Sequence, residues 1–183
     1  MDDQVRRALD KWPNVPAAYG WLRLDRRGRW FLIDRNQPGF DEKHHGKGTE
    51  VKNDALIDFI ARNYMSDERG RWFWQNGPQR AFANIDAAPL VLRVMQAHDN
   101  NQRGLITHTG YHVAAVNRAF IGPDDGLYLD TDLGPACVYD LDLASLEMTD
   151  DSVTILGHEH PITATNNVSH ALGFEPNPTE AIA

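Results

Sequence analysis

Apolar residues recur along this chain with two spacings. Near the start, Val5, Ala8, Leu9 and Trp12 fall at helical intervals, which predicts a helix over 2–12 with one apolar stripe. Asp2 and Asp3 suit its positive N-terminal end, Arg6, Arg7 and Lys11 lie further along, and Pro13 and Pro16 stop it. The stretch 51–64 repeats the helical pattern, with Leu56, Phe59, Ile60 and Tyr64 on the buried side and Ile57 beside them. Asn53 or Thr49 can cap this helix, and Asp54 favours its first turn.

Alternation typical of strands dominates the rest. Residues 19–24 and 29–33 make a predicted hairpin around Asp25-Arg26-Arg27-Gly28, a turn with aspartate first and a left-handed glycine last. A second turn, Asp67-Glu68-Arg69-Gly70, leads into an aromatic strand that ends at Asn76-Gly77, itself a hairpin turn signal, with Pro78 limiting the hydrogen bonding just after it. Ala81, Ala83 and Ile85 then alternate with Arg80, Phe82 and Asn84 as a half-buried strand. Further strands are expected over 90–95, 105–109, 113–121, 127–130, 136–141 and 153–156, with a helical turn near 143–146 and a last helix over 166–172. Residues 35–50 are polar and glycine-interrupted and predict a mobile surface loop, and 97–104 a polar loop closed by Gly104. Two prolines, Pro176 and Pro178, suggest a frayed end over 175–183.

The predicted architecture is therefore α+β. It is an antiparallel, β-rich fold with two repeated hairpin motifs and two or three helices. An N-terminal region, 1–96, holds both helices and both hairpins, a β region over 97–150 shares its core, and 151–183 is a weakly structured tail. The repeat rests on Asp25-Arg26-Arg27-Gly28-Arg29-Trp30-Phe31 and Asp67-Glu68-Arg69-Gly70-Arg71-Trp72-Phe73, which start 42 residues apart and agree at six of seven positions. In each copy, Trp and Phe point to opposite faces of a strand and an arginine stem can lie along the sheet.

These motifs carry a family resemblance. The segment 67–73, followed by Pro78-Gln79-Arg80 and then Ile85-Asp86-Ala87-Ala88-Pro89-Leu90-Val91, resembles proteobacterial proteins of the domain-of-unknown-function 1285 family. Gly28-Arg29-Trp30-Phe31 is similar to that family's first Gly-x-Trp-Phe strand, and Val138-Tyr139-Asp140-Leu141 to its Tyr-Asp-Leu segment. The resemblance runs in patches over residues 19–147 and implies an α+β fold of repeated β-rich motifs with a signalling or sensing role. It brings no catalytic residues with it. This chain departs from the family in a longer histidine-rich loop at 41–48 and in its tail after 149.

Composition narrows the partners. A chain of 183 residues, 42% hydrophobic and 24% charged, is an ordinary globular chain of one domain or two small halves. Its 26 acidic against 18 basic residues leave a formal charge of −8, which repels phosphate backbones, so nucleic acid is not an expected partner. Cys137 is the single cysteine, so no internal disulfide can form, and a reducing, cytoplasmic setting is expected. Neither a basic segment followed by an apolar run nor an apolar run of about 20 residues occurs, so neither a secretory signal nor a membrane span is expected.

The candidate chemistry is sparse. His108 and His112 are four apart but bracket Gly110 between predicted strands, where they converge only across a short turn. His158 and His160 flank Glu159 and would share one face of a strand, a workable ligand pair without a local third ligand. Asp130, Asp132, Asp140 and Asp142 alternate as a pair of carboxylates for Mg²⁺ or acid–base work would, but Asp130-Thr131-Asp132-Leu133-Gly134-Pro135 reads more simply as a turn. No Gly-x-Ser-x-Gly, phosphate loop or dinucleotide fingerprint occurs, and Cys137 sits between apolar neighbours as a buried thiol. Arg23, Arg26, Arg27, Arg29 and Arg35 form a local basic patch that a solvated hairpin explains.

The expected function is a non-catalytic module that binds a small ligand or a protein partner, without a cofactor, in a pocket between the repeats lined by Trp74, Arg80 and Phe82. The alternative is a metal-dependent hydrolase built on His108, His112, His158, His160 and Asp130. A third expectation is a homodimer formed through exposed sheet edges.

Overall fold

A computed structural model describes residues 1–95 and 104–180. The chain divides into two compact units, one formed by 1–25, 29–86 and the chain from 175 onward, the other by 26–28 and 87–174.

In the first unit, α1 (Asp3–Lys11) precedes β1 (Ala18–Leu24) and β2 (Trp30–Leu32). Then come α2 (Glu42–His45), β3 (Thr49–Glu50), α3 (Asp54–Arg62), β4 (Tyr64–Ser66), β5 (Trp72–Asn76) and β6 (Gln79–Ile85). The six strands form one sheet in the order β3-β2-β1-β6-β5-β4.

The long helix is shorter than its periodicity predicts. Asn53 caps α3 by accepting the Leu56 N–H at 2.9 Å. At the other end Asn63 is fully buried; its side-chain amide donates to Phe59 O at 2.9 Å, its side-chain oxygen accepts the Asp2 N–H at 2.8 Å, and its backbone carbonyl accepts from Gln75. That carbonyl is thereby committed to the sheet, and Tyr64, expected in the helical stripe, opens β4 instead. On α1 only Val5 is buried, while Trp12, expected in the stripe, is 51% exposed with the Lys11 ammonium 4.5 Å from its ring centre. The loop over 35–50 contains α2 and β3. Asp41 caps α2 on Lys43 N, and Arg35 pairs with Glu42 at 2.8 Å, so the expected mobile loop is tied down locally.

The two similar turns have the same hydrogen-bond geometry. Asp25 N donates to Arg29 O at 3.0 Å, and Asp67 N donates to Arg71 O at 3.0 Å. Asp25 Oδ1 accepts the Arg29 N–H at 2.9 Å, and Asp67 Oδ1 accepts the Arg71 N–H at 3.1 Å. Each aspartate also binds the guanidinium of the same arginine at 2.6 Å. The left-handed corner falls on Gly28 (φ 78°) and Gly70 (φ 71°), where a Cβ would be strained. Trp30 and Trp72 then pack against one residue, Tyr64, with ring centres 4.9 and 5.0 Å away.

The sheet has two different faces. Leu22, Leu24, Trp30, Trp72, Trp74, Ala83 and Ile85 are buried, and Phe59 of α3 meets Trp74 edge-on at 5.8 Å. Arg23, Phe31, Phe73, Arg80 and Phe82 point the opposite way, as alternation requires.

The second unit contains β7 (Leu90–Met95), β8 (Gly104–Thr107), β9 (Val116–Ile121), β10 (Leu127–Thr131) and β11 (Gly134–Val138). A 3-10 helix (Asp140–Ser145), β12 (Glu147–Met148), β13 (Ser152–Ile155), β14 (His158–Ala164) and α4 (Val168–Leu172) follow. Its eight strands run in the order β12-β13-β14-β9-β10-β11-β7-β8. The expected polar loop at 97–104, Gly104 excepted, lies outside the described residues, as does the expected boundary after residue 96.

Three expectations change. The fold is α+β, but both sheets are mixed: β1 with β6, β7 with β11 and β9 with β14 pair in parallel. Turn chemistry sets antiparallel pairing between neighbours, whereas these partners are distant in sequence. The described residues hold four α-helices and one 3-10 helix rather than two or three helices: the last helix expected over 166–172 forms as α4, and the added one is α2, which is too short to show a period. In the residues from 151, expected as a weakly structured tail, the strand expected over 153–156 and the helix expected over 166–172 form as β13 and α4, and β14, which was not expected, pairs with β13 and β9. Val153 and Ile155 are buried, and the hairpin turns at Leu156-Gly157, both with positive φ. Leucine at that turn position gives no sequence signal, and the mostly exposed β14 shows no alternation.

Candidate functional site

On the Phe73 face of the first sheet, arginines lie over aromatic rings. The Arg23 and Arg29 guanidiniums sit 5.1 and 5.6 Å from the Phe31 ring centre, Arg71 sits 4.6 Å from Phe82, and Arg80 sits 4.8 Å from Phe73. Such contacts are electrostatically favourable and let the arginine stems cover the rings. Three of the four arginines also have acids: Arg23 binds Asp86 through two oxygens, Arg29 binds Asp25 and Arg71 binds Asp67.

Arg80 differs. It is exposed at the start of β6, and among the described residues it makes no hydrogen bond or ion pair. Every other described arginine lying over an aromatic ring, Arg23, Arg27, Arg29, Arg35, Arg71, Arg93 and Arg118, is ion-paired to an aspartate or glutamate. Arg80 also lines an open cleft of 440 Å³ together with Met65, Ser66, Asp67, Glu68, Arg69 and Phe73. That volume is in the range of small-molecule sites, about 300–1,000 Å³.

The strand register builds this cleft. Met65 pairs with Phe73 and Phe73 with Phe82, so the three share a face, and Gln75 pairs with Arg80 on that face. The turn between β4 and β5 brings Asp67, Glu68 and Arg69 to its rim. Burial pushes the Asp67 carboxyl up, but the Arg71 side-chain hydrogen bond and the N–H groups of Arg71 and Arg69 outweigh it and hold it below its ordinary value.

Of the three residues predicted to bind ligand, one lies here. Trp74 pairs with Ala81 and therefore points to the α3 face, away from Arg80; its buried Nε1 makes no hydrogen bond among the described residues. Phe82 is on the correct face but 2% exposed, stacked on Tyr19 at 4.8 Å and covered by Arg71. The cleft lies beside the second turn and not between the two similar segments. Met65, Arg69 and Phe73 were not foreseen.

The two candidate pairs, His108 with His112 and His158 with His160, are not brought together. His108 follows β8; its ring Nδ1 accepts the Val91 N–H at 3.2 Å, and its backbone N–H donates to Val91 O at 2.7 Å. His112 is exposed and bridges Ile106. His158 and His160 lie on β14, with β9, β10, β11 and β7 between that strand and β8. Among the described residues, no group of three or more His, Cys, Asp or Glu is placed to hold a metal. The aspartates are occupied structurally: Asp130 by Arg118, Asp132 by the N–H groups of Ala114 and Ala115, Asp140 by Arg27, and Asp142 by Arg93 and Val94 N. Burial pushes the Cys137 thiol up to about 12, against a partial offset from Arg26. It borders a recess of only 60 Å³, where Tyr128 donates to Asp124 at 2.9 Å and Arg26 binds the same carboxylate.

An α+β protein with two mixed sheets and an arginine-rimmed cleft is thus the class that fold and site define. Residues 1–180 match the family model DUF2944, described as "Protein of unknown function (DUF2946)", and the chain belongs to that family. Its fold is similar to the crystal structure of a DUF1285 family protein from Silicibacter pomeroyi DSS-3. The TM-score is 0.54 at 19% sequence identity, covering 81% of this chain and 82% of that one. A DUF1285 family protein from Shewanella baltica OS155 aligns with a TM-score of 0.46 at 14% identity, covering 68% of this chain and 88% of that one. The resemblance carried by the sequence motifs thus holds at the level of the fold. No curated protein matches the chain. No helix among the described residues is long and apolar enough to cross a membrane.

Proposed function

We propose that this protein is a non-catalytic, small-ligand-binding module and that the cleft beside Arg80 is its binding site. One observation carries the proposal. Arg80 is held over Phe73 with no acid paired to it among the described residues, at the mouth of a 440 Å³ cleft, while every comparable described arginine is paired. An arginine placed in this way keeps its donors available for a ligand. The non-catalytic part rests on the occupied state of the reactive groups: aspartates bound to arginines and backbone amides, a His108 ring nitrogen bound to a backbone amide, and a thiol pushed up to about 12 by burial.

The test is a thermal-shift screen of metabolites, since a ligand that binds the native state raises its melting temperature. Arg80→Ala should remove the shift produced by any hit and leave the circular dichroism spectrum unchanged. A hit whose binding isotherm is the same in Arg80→Ala and in the parent protein would remove this cleft as the site.

A further inference from the structure

We infer that the ligand of this cleft is a small organic monocarboxylate with an apolar body. The inference rests on the proposal that the cleft is the binding site and goes further by fixing the charge and shape of what enters it.

The charge balance comes first. Two guanidiniums line the cleft, Arg69 and Arg80, and neither has an acid partner among the described residues. Two carboxylates line it as well. Asp67 is already committed to Arg71, at 2.8 Å from Nε and 2.6 Å from Nη2, and it also accepts backbone N–H groups. Glu68 remains, and it offsets one arginine. The cleft therefore presents one net positive charge, which a single carboxylate neutralises. A dianion would meet Glu68 with a surplus negative charge.

Geometry then separates carboxylate from bare ion. A planar guanidinium fork matches a carboxylate through two parallel hydrogen bonds. Arg80 already lies over the Phe73 ring, so its plane is supported, and the loss of side-chain entropy on binding is reduced. Met65 shares the face with Phe73 and gives the cleft an apolar wall. A thioether adapts to irregular apolar shapes. An inorganic anion would leave that wall and most of the volume unused.

The test uses three probes of similar size, benzoate, benzyl alcohol and phenyl phosphate, titrated into the 183-residue chain at low salt. Amide chemical shifts of residues 65–69, 73 and 80 are followed by NMR. Benzoate should bind, Arg80→Ala should weaken it about tenfold or more, and Arg69→Ala should weaken it measurably, the scale expected for hydrogen bonds to a charged group. Arg80→Lys, which keeps the charge and loses the fork, should fall between. Met65→Trp, which fills the cleft, should abolish binding.

Benzyl alcohol binding as tightly as benzoate, or phenyl phosphate binding more tightly, with either lost in Met65→Trp, would overturn the carboxylate inference and leave the cleft as a site. Binding of any probe unaffected by Met65→Trp, or shifts confined to other residues, would overturn the cleft itself.

Discussion

Replacing Asp67 tests the physical account of the turn that shapes the cleft. Its carboxylate is 15% exposed and accepts the N–H groups of Arg69 and Arg71 at 3.0 and 3.1 Å, as well as the Arg71 guanidinium at 2.6 Å. Hydrogen bonds to a charged group contribute about 1.5–3 kcal/mol each, but these share one acceptor group and do not add. Asp67→Ala should therefore cost about 2–3 kcal/mol. Asp67→Asn keeps one acceptor oxygen but loses the charge, and should cost about half as much. Urea unfolding followed by tryptophan fluorescence reads this directly, because Trp72 and Trp74 stand on the strand that leaves the turn. The midpoint should fall with little change in slope.

The pH dependence has a definite sign. The folded-state pKa of Asp67 is depressed, so its contribution is fully present above the ordinary carboxylate value and is lost as pH falls through the depressed one. The stability gap between the parent and Asp67→Asn should therefore narrow on acidification below the ordinary carboxylate range. A loss for Asp67→Ala within about 0.5 kcal/mol of the exposed control Asp150→Ala would refute the account. So would a gap that widens as pH falls.

Other substitutions probe separate parts of the molecule. Gly39 and Gly28 both have positive φ, but among the described residues a Cβ on Gly39 meets nothing within 4 Å, whereas one on Gly28 would lie 2.7 Å from His108 Cβ. Gly39→Ala should cost about 1 kcal/mol of backbone strain, and Gly28→Ala clearly more, measured by the same urea titrations. Cys137 should react with a maleimide at pH 8 far more slowly in the native protein than in denaturant, since burial pushes its thiol up to about 12; equal rates would contradict that burial. Leu129, fully buried in β10, should cost about 2–5 kcal/mol when cut to alanine in a denaturation experiment.

The chain's local signals determined a good deal. The Asp-first, Gly-last turns at 25–28 and 67–70 are set by side-chain-to-backbone hydrogen bonds within five residues, so both were legible from residue order. So was the split of Trp30 from Phe31 and of Trp72 from Phe73 onto opposite faces, because alternation is a property of the extended backbone itself. The same alternation already separated Trp74 from Arg80. Across a tight two-residue loop, paired positions have an odd sum, as Phe73 with Phe82 and Gln75 with Arg80 do, and 74 with 80 does not.

Tertiary structure alone decided the rest. The parallel pairs, β14 among them, and the end of α3 at Asn63 all depend on partners far away in sequence. The availability of Arg80 is of the same kind. Residue order shows an arginine in a strand, but whether an acid reaches it depends on which side chains the folded sheet brings alongside, and here the fold supplies acids to its neighbours and leaves Arg80 facing an open cleft.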